Sequence, residues 1–302
     1  MYVATVDNEQ AASTPGGTLM LSVVIPCLNA AQELPGQLAA LANQVHDHEW
    51  EILISDNGSQ DATRLVANDF TDRLPIRVVD SSDRRGRAHA CNRGVDVANG
   101  EAVLFLDSDD EVAPGYVAAM GDALKSYPVV AARLDPEPLN EPWVRTTRSA
   151  GQQSELLHVL RFLPFALGCS LGVSKEAFAA VGGFAEDVPY AEDVDLCWRL
   201  GLAGIPLRLQ PEAVLSHRYR STVQALYAQS RHYGVGQVAL YRKFRSAGMP
   251  RRSSRAFAVD WLRFGRKVLS ARTKADWARW VHGLGYRVGR MEGSLRYRTL
   301  YL

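Results

Sequence analysis

The chain is short of cysteine. Its 302 residues include four, Cys27, Cys91, Cys169 and Cys197, each far from the next. With no Cys-x-x-Cys pair and no secreted disulfide pattern, they are expected as small core residues in a reduced, cytoplasmic setting. Also missing is any run of eighteen apolar residues uninterrupted by charge, which argues against a membrane-spanning helix. The opening MYVATVDNEQAASTPGGTLM has no basic segment leading into an apolar one, so no export signal is read there. Internal repeats and low-complexity segments are absent too. Net charge is only +1, which by itself points to no strongly charged partner.

That small net charge conceals an asymmetry. Residues 1–217 hold about 15 Lys and Arg against 30 Asp and Glu, whereas 218–302 hold about 19 against 3. A half-to-half contrast of this size suggests a surface with a distinct role and divides the chain near His217. With 47% hydrophobic residues the chain can bury a full core, which excludes a disordered protein. The expected organisation is a flexible segment over 1–20, a folded domain over 21–217 and a basic helical region over 218–302.

Within the middle part, LSVVI (21–25), EILIS (51–55), IRVVD (76–80) and AVLFL (102–106) are short β-branched runs separated by enough chain for a helix. This is the rhythm of βαβ units, and the fold class expected is α/β: a doubly wound, mostly parallel sheet flanked by helices. Leu34, Leu38 and Leu41 fall at helical spacing around Pro35, Ser59 and Asp61 suit a helix start, and Ser174 suits another. In open sheets of this kind ligands bind beyond the carboxyl ends of the strands. The polar residues ending the runs are Asn29, Asp56 with Asn57, and Asp107 with Asp109, so they should share one rim.

The stretch FLDSDD (105–110) crowds Asp107, Asp109 and Asp110 directly after a buried strand. Like charges so close repel, and a divalent cation such as magnesium or manganese would relieve them while holding a diphosphate. The alternative is that Asp109 and Asp110 cap a helix beginning near Pro114. Asp56 in DNGS can likewise form an Asx-turn.

Taken in order, VVIPCLNA, EILISDNGSQD, RRGRAHACNRGVDVANGEAVLFLDSDD, VGGF and YAEDVDLCWRL resemble the family 2 glycosyltransferases of GT-A fold, over roughly residues 21–217. The resemblance implies inverting transfer of a sugar from a nucleotide-sugar donor to an acceptor hydroxyl, supported by a divalent cation. It implies that Asp56 recognises the donor base, that Asp107 lies near the ribose and that Asp109 binds the metal, joined by His217. Pro26 and Asn29 would complete the nucleotide pocket, with Arg87 on the phosphates and Gly168 and Gly183 allowing close approach of the sugar. Asp193 would be the base that takes the acceptor proton, with Glu192 beside it. Cys91 stands where the family commonly has an arginine before the asparagine, here Asn92. Asp195 is spaced for a surface ion pair with Arg199.

Three competing readings are weaker. A non-catalytic nucleotide-sugar-binding protein would leave the candidate base Asp193, kept together with the metal carboxylates, unexplained. A nucleotidyltransferase would normally carry a glycine-rich phosphate loop near the first strand, and PCLNAAQE has none. A role with nucleic acid would need a recognisable module beside the basic residues, and none is present, so nucleic acid is not an expected partner. After His217, Leu226, Tyr233, Leu240 and Phe244, then Trp261, Leu262, Val268 and Leu269, then Trp277, Trp280, Val281, Leu284 and Val288 recur at near-helical spacing among arginines and lysines. Such helices can pack on the preceding domain. They can equally lie on an anionic membrane surface, at its inner face, within reach of a saccharide or lipid-linked acceptor.

Overall fold

The computed structural model describes residues 19–148, 154–251 and 254–301. Most of the segment expected to be flexible, 1–18, lies outside these. Among the described residues ten strands form: β1 (Leu21–Cys27), β2 (Trp50–Asp56), β3 (Ile76–Asp80), β4 (Ala102–Phe105), β5 (Glu111–Val112), β6 (Val129–Asp135), β7 (Leu157–His158), β8 (Pro164–Phe165), β9 (Leu171–Ser174) and β10 (Arg208–Ser216). The helices are α1 (Leu34–Ala42), α2 (Thr63–Asn68), α3 (Arg87–Asp96), α4 (Tyr116–Ser126), α5 (Pro142–Arg145), α6 (Lys175–Ala180), α7 (Glu192–Leu202), α8 (Val223–Phe244), α9 (Ser254–Val268) and α10 (Lys274–Arg296).

Eight strands make one sheet in the order β3-β2-β1-β4-β9-β6-β10-β5, and β7 pairs with β8 apart from it. The first four run parallel, as the βαβ rhythm requires. The expectation of a mostly parallel sheet holds with two exceptions: β9 enters antiparallel between β4 and β6, and β5 lies antiparallel on β10. A four-residue strand and a two-residue strand were too short to announce themselves by periodicity. β1, β2 and β4 are covered on both faces and read as continuous apolar runs, whereas β3, at the sheet edge, leaves Arg77 and Asp80 exposed. Val23, Ile25 and Leu104 pack beneath α1 and α4. Val24, Val103 and Phe105 face α3, α6 and α7. All four cysteines are buried.

The chain order reverses between β1 and β4, and at such a switch point the loops leave in opposite directions and open a crevice. Gln37 fixes one wall of it. This amide sits fully buried on the apolar face of α1, where it donates to the carbonyl of Asp107 at 3.2 Å and accepts from the Val112 N–H at 3.0 Å. The loop carrying the three aspartates is thereby tied to the core. Asn57 does the same for the loop 81–86: its side chain bonds Ser81 and Arg84 carbonyls and accepts from the Gly86 N–H. α4 begins at Tyr116 with Gly115 at its N-cap, so neither Asp109 nor Asp110 caps it. Ser174 does cap α6, accepting from the Ala177 N–H.

Beyond His217, α8 and α10 lie against each other along their length in parallel. Gly285 and Gly289 of α10 bring its backbone onto Tyr227 and Arg231 of α8, so close that a Cβ at Gly289 would overlap the Arg231 carbonyl. Both helices then face the domain that precedes them. Between them, α9 touches the rest through Phe264, whose ring stacks on Trp280 at 5.0 Å.

Candidate active site

Two hollows open at the carboxyl ends of the strands. The smaller, about 410 Å3, is lined by Pro26, Asn29, Asn57, Arg85, Arg87, Asp107, Asp109 and Arg220 among others. The larger, about 750 Å3, is lined by Gly168, Glu192, Asp193 and His217 together with Gln229, His232, Tyr233 and Tyr286 from α8 and α10. Arg85, Gly86, Arg87, Asp107, Asp109 and Arg220 belong to both, so the two form one continuous crevice. The expected site residues from the ends of β1, β4 and β10 and the start of α7 do meet there.

At the junction the carboxylates are held by guanidinium groups. Arg87, the first residue of α3, reaches Asp107 with Nε at 3.0 Å and Nη2 at 2.7 Å, and its Nη1 lies 3.7 Å from Glu192. Burial alone would lower its proton affinity, but Asp107 and Glu192 raise it well above the usual arginine value, so the charge is permanent. Gly168 packs directly against that guanidinium, where a Cβ would stand 2.7 Å from Nη1. Arg220 reaches Asp109 at 3.1 Å. Burial, then Asp107 and Asp110, push the Asp109 carboxyl up to about 6 against the opposing pull of Arg220 and His217.

His217, expected beside Asp109 at the cation, has its ring held by the neighbouring Asp110. Its Nδ1 lies 2.9 Å and 3.0 Å from the two oxygens of Asp110. Asp110 is fully buried and also accepts from the Arg218 N–H at 2.8 Å. With Nδ1 committed, Nε2 is the nitrogen left for the crevice. Sequence reasoning counted Asp110 among the crowded carboxylates and, alternatively, as a cap, and did not pair it with His217. The ligand atoms of Asp107, Asp109 and Asp110 lie within 4.8 Å of one another, as do those of Asp110, Cys169 and His217. Hard carboxylate oxygens with one imidazole fit magnesium or manganese.

Asp193 and Glu192 occupy the first turn of α7, where the helix N-terminus favours negative charge. Asp193 accepts from the Gly168 N–H at 3.0 Å and the Val194 N–H at 2.8 Å. Burial nevertheless pushes both carboxyls upward; the Asp193 charge adds to this at Glu192, while Arg87 opposes it at both. Asp195 pairs with Arg199 at 2.7 Å as its spacing suggested, but the pair is not at the surface. Its carboxylate is fully buried and also meets Lys243 of α8.

Asp56 ends β2 fully buried and, unlike Asn57 after it, lines neither hollow. Its carboxylate accepts from the Ser59 N–H at 3.0 Å, three residues on rather than the two of the expected Asx-turn, and from Arg64 Nε. Burial would raise its proton affinity, but these bonds hold it below the usual carboxylate range. Asn29, at φ +53°, accepts from the Gln60 N–H at 2.8 Å. Gly183 lies elsewhere: at φ +68° it forms a turn against Phe178 and Asn92 and lines neither hollow. Arg220, Arg148, Gln229 and Tyr286 were not singled out from sequence, and Tyr233 was read there only as part of a helix's apolar face. Gln37 could have been, as a polar residue inside the apolar stripe of α1.

Residues 22–182 match the profile of the family described as Glycosyl transferase family 2. Validoxylamine A glucosyltransferase of Streptomyces hygroscopicus subsp. limoneus is 30% identical over 243 residues, 68% of this chain and 54% of that protein. The pre-mycofactocin glycosyltransferase of Mycobacterium tuberculosis (strain ATCC 25618 / H37Rv) is 27% identical over 247 residues, 78% of this chain and 50% of that one. The chain thus spans about half the length of the curated relatives it matches. Among solved structures, the mannosyltransferase PcManGT of Pyrobaculum calidifontis, in complex with GDP-Man and Mn2+, superposes with a TM-score of 0.62 at 18% identity, covering 93% of this chain and 89% of that one. S. aureus TarS 1-349 in complex with UDP-GlcNAc superposes with a TM-score of 0.54 at 19% identity, covering 94% and 93%. The chain belongs to glycosyl transferase family 2 and has the GT-A fold.

Proposed function

We propose that the protein is an inverting glycosyltransferase that moves a sugar from a nucleotide-sugar donor to an acceptor hydroxyl. The observation that carries this reading is the division of the crevice. Carboxylates fit for a cation sit where the two hollows meet, while Asp193 lines the larger hollow alone. An inverting displacement needs that separation, because the base must stand on the acceptor side and the departing diphosphate on the other.

In this reading the smaller hollow takes the nucleotide. Pro26 and Asn29 form its wall, and Asp56, buried behind Asn57, is the residue assigned to a base N–H, which it could meet only if the hollow opens around it. Asp107, with Arg87, borders the ribose and phosphates. Asp109 and the imidazole of His217 would hold a divalent cation, manganese or magnesium, which supplies positive charge for the departing diphosphate. Arg220 and Arg85 line the same junction and add to that charge. Asp193 accepts the proton of the attacking hydroxyl, aided by the raised proton affinity of its buried position, and Glu192 orients the acceptor. Nothing in this scheme forms a covalent bond to the enzyme.

The acceptor, a saccharide or a lipid-linked saccharide, would lie in the larger hollow. Reach to a bilayer is supported by α9 and the start of α10. Leu262 is 71% and Leu269 83% exposed, Trp277 is also exposed, and Arg263, Arg266, Lys267 and Arg272 surround them. Exposed apolar side chains among cations suit an anionic membrane surface. No helix of the described residues is long and apolar enough to cross a membrane. Co-sedimentation of the full chain with anionic vesicles should be strong at low salt and weak at high salt. No pelleting at low salt would remove the membrane from the account.

A thermal-shift panel of nucleotide sugars, with and without manganese, tests the main reading. A donor at a hundred times its Kd adds about 2.7 kcal/mol of stability, so one base class should raise Tm, and only with the cation. No shift with any nucleotide sugar would contradict the proposal.

A further inference from the structure

We infer that Tyr190, with His232 stacked on it, is the platform for a sugar ring of the acceptor, so that the acceptor offers the base a neutral pyranose rather than a bare lipid phosphate; this rests on reading the larger hollow as the acceptor side. Both residues line that hollow. Their rings lie parallel, at an interplanar angle of 1° with centroids 4.0 Å apart. Although one face of its ring is covered in this way, Tyr190 is still 43% exposed, which leaves the other face for the hollow.

The backbone there works against a tyrosine. Its φ is +65°, in the left-handed region that glycine and asparagine enter at small cost and an aromatic residue does not. Among the described non-glycine residues with positive φ, Asn29 and Tyr190 are the two that line the crevice. Two residues of α8, four apart in sequence and so on one face of the helix, hold Tyr190 in this conformation. Gly236 packs against the backbone just before α7, where a Cβ would stand 3.1 Å from both the Pro189 carbonyl oxygen and the Ala191 Cβ. His232, one turn earlier, meets the ring. Burial and the charge of Arg231 hold that imidazole below the usual histidine value, so the stacked pair is uncharged at neutral pH. What the strain secures is a ring fixed three residues before Asp193, in the wall of the same hollow.

An aromatic face carries partial negative charge, and one side of a pyranose ring presents C–H bonds of partial positive charge over an apolar surface, so the two match. The hydroxyls project from the rim of such a sugar. Gln229, Gln237, Tyr233 and Tyr286, lining the same hollow, supply hydrogen-bonding groups for them. To a phosphate, an uncharged aromatic pair offers nothing.

Five probes test the assignment, each titrated calorimetrically into the full chain in the presence of UDP or GDP and manganese. Three are methyl β-glucoside, methyl α-mannoside and methyl β-galactoside; sorbitol has the hydroxyls without the ring, and geranyl phosphate is a lipid phosphate without a sugar. At least one glycoside should bind about tenfold or more tightly than sorbitol and geranyl phosphate, both in the unaltered protein and in Tyr190→Phe, which keeps the ring. Tyr190→Gly, which removes the ring and relaxes the backbone, should weaken that glycoside by about tenfold while nucleotide affinity stays within about twofold. Absence of a glycoside preference, tighter binding of geranyl phosphate, unchanged glycoside affinity in Tyr190→Gly, or equal loss in Tyr190→Phe would overturn the assignment. A parallel loss of nucleotide affinity in Tyr190→Gly would show a ring that supports the whole crevice and would overturn it as well. Nucleotide binding by the unaltered protein reports on the transferase reading separately: its failure counts against that reading, whereas nucleotide binding without a glycoside preference counts against the platform alone.

Discussion

The carboxylate of Asp110 lies beneath the crevice, and its effect is exerted through His217. Because it takes Nδ1 with both oxygens, it sets the orientation of the ring and leaves Nε2 as the nitrogen for the cation of the proposed reading. Asp110→Ala should therefore weaken manganese binding by about 10- to 100-fold, measured by electron paramagnetic resonance of the free ion in the presence of UDP or GDP. Unchanged affinity would show that His217 does not need this partner. Gly168 offers a second test. Gly168→Ala places a methyl group against the movable end of Arg87, so stability should change by less than about 1 kcal/mol while turnover falls, as Arg87 is displaced from Asp107. At this scale the sequence was readable for residues in local patterns, such as Asp107, Asp109 and Asp193. It was silent on Asp110 with His217 and on Arg220 with Asp109, since each depends on contacts across about a hundred residues.

Among the elements, β1, β2, β4 and α1 were legible because each is buried over whole turns or strands and its apolar spacing shows it, and β3, though half-exposed at the sheet edge, by its β-branched run. The two antiparallel insertions, β5 and β9, were not. They are placed by pairing with β10 and with β4 and β6, and local propensity says little about strands of two and four residues. The α8–α10 pair was legible as helices but not as a wall of the site. Its fit depends on glycines: Gly289→Val should overpack the contact and cost about 1–3 kcal/mol, read as a lower Tm. The same variant should impair acceptor use more than nucleotide binding, because α8 and α10 line only the larger hollow. Equal loss of both would mean the helices stabilise the molecule without shaping that hollow.

For the molecule as a whole, the charge contrast at His217 seen in the sequence marks a change of surface, yet the basic part is also built into the crevice through Gln229, Tyr233 and Tyr286. Titration of the whole enzyme should report the buried pair at the start of α7. Burial raises the proton affinities of Asp193 and Glu192, and if Asp193 is the base, as proposed, it works only when ionised. Hence kcat/KM should fall as pH drops through a value above the ordinary carboxylate range of about 4 to 4.5, and rise again as pH increases. An acid limb at or below that range would show the base to be an exposed carboxylate.

The division of labour between the two halves of the crevice is tested most directly by one paired measurement: nucleotide-sugar binding and sugar transfer in Asp109→Ala and in Asp193→Asn. Binding is followed by calorimetry with manganese, and transfer by release of the nucleotide diphosphate with an acceptor. The account predicts that Asp109→Ala loses manganese-dependent binding, whereas Asp193→Asn binds donor within about twofold of the unaltered protein and loses transfer by about 100-fold or more. Retention of most transfer in Asp193→Asn, or loss of donor binding there, would contradict it.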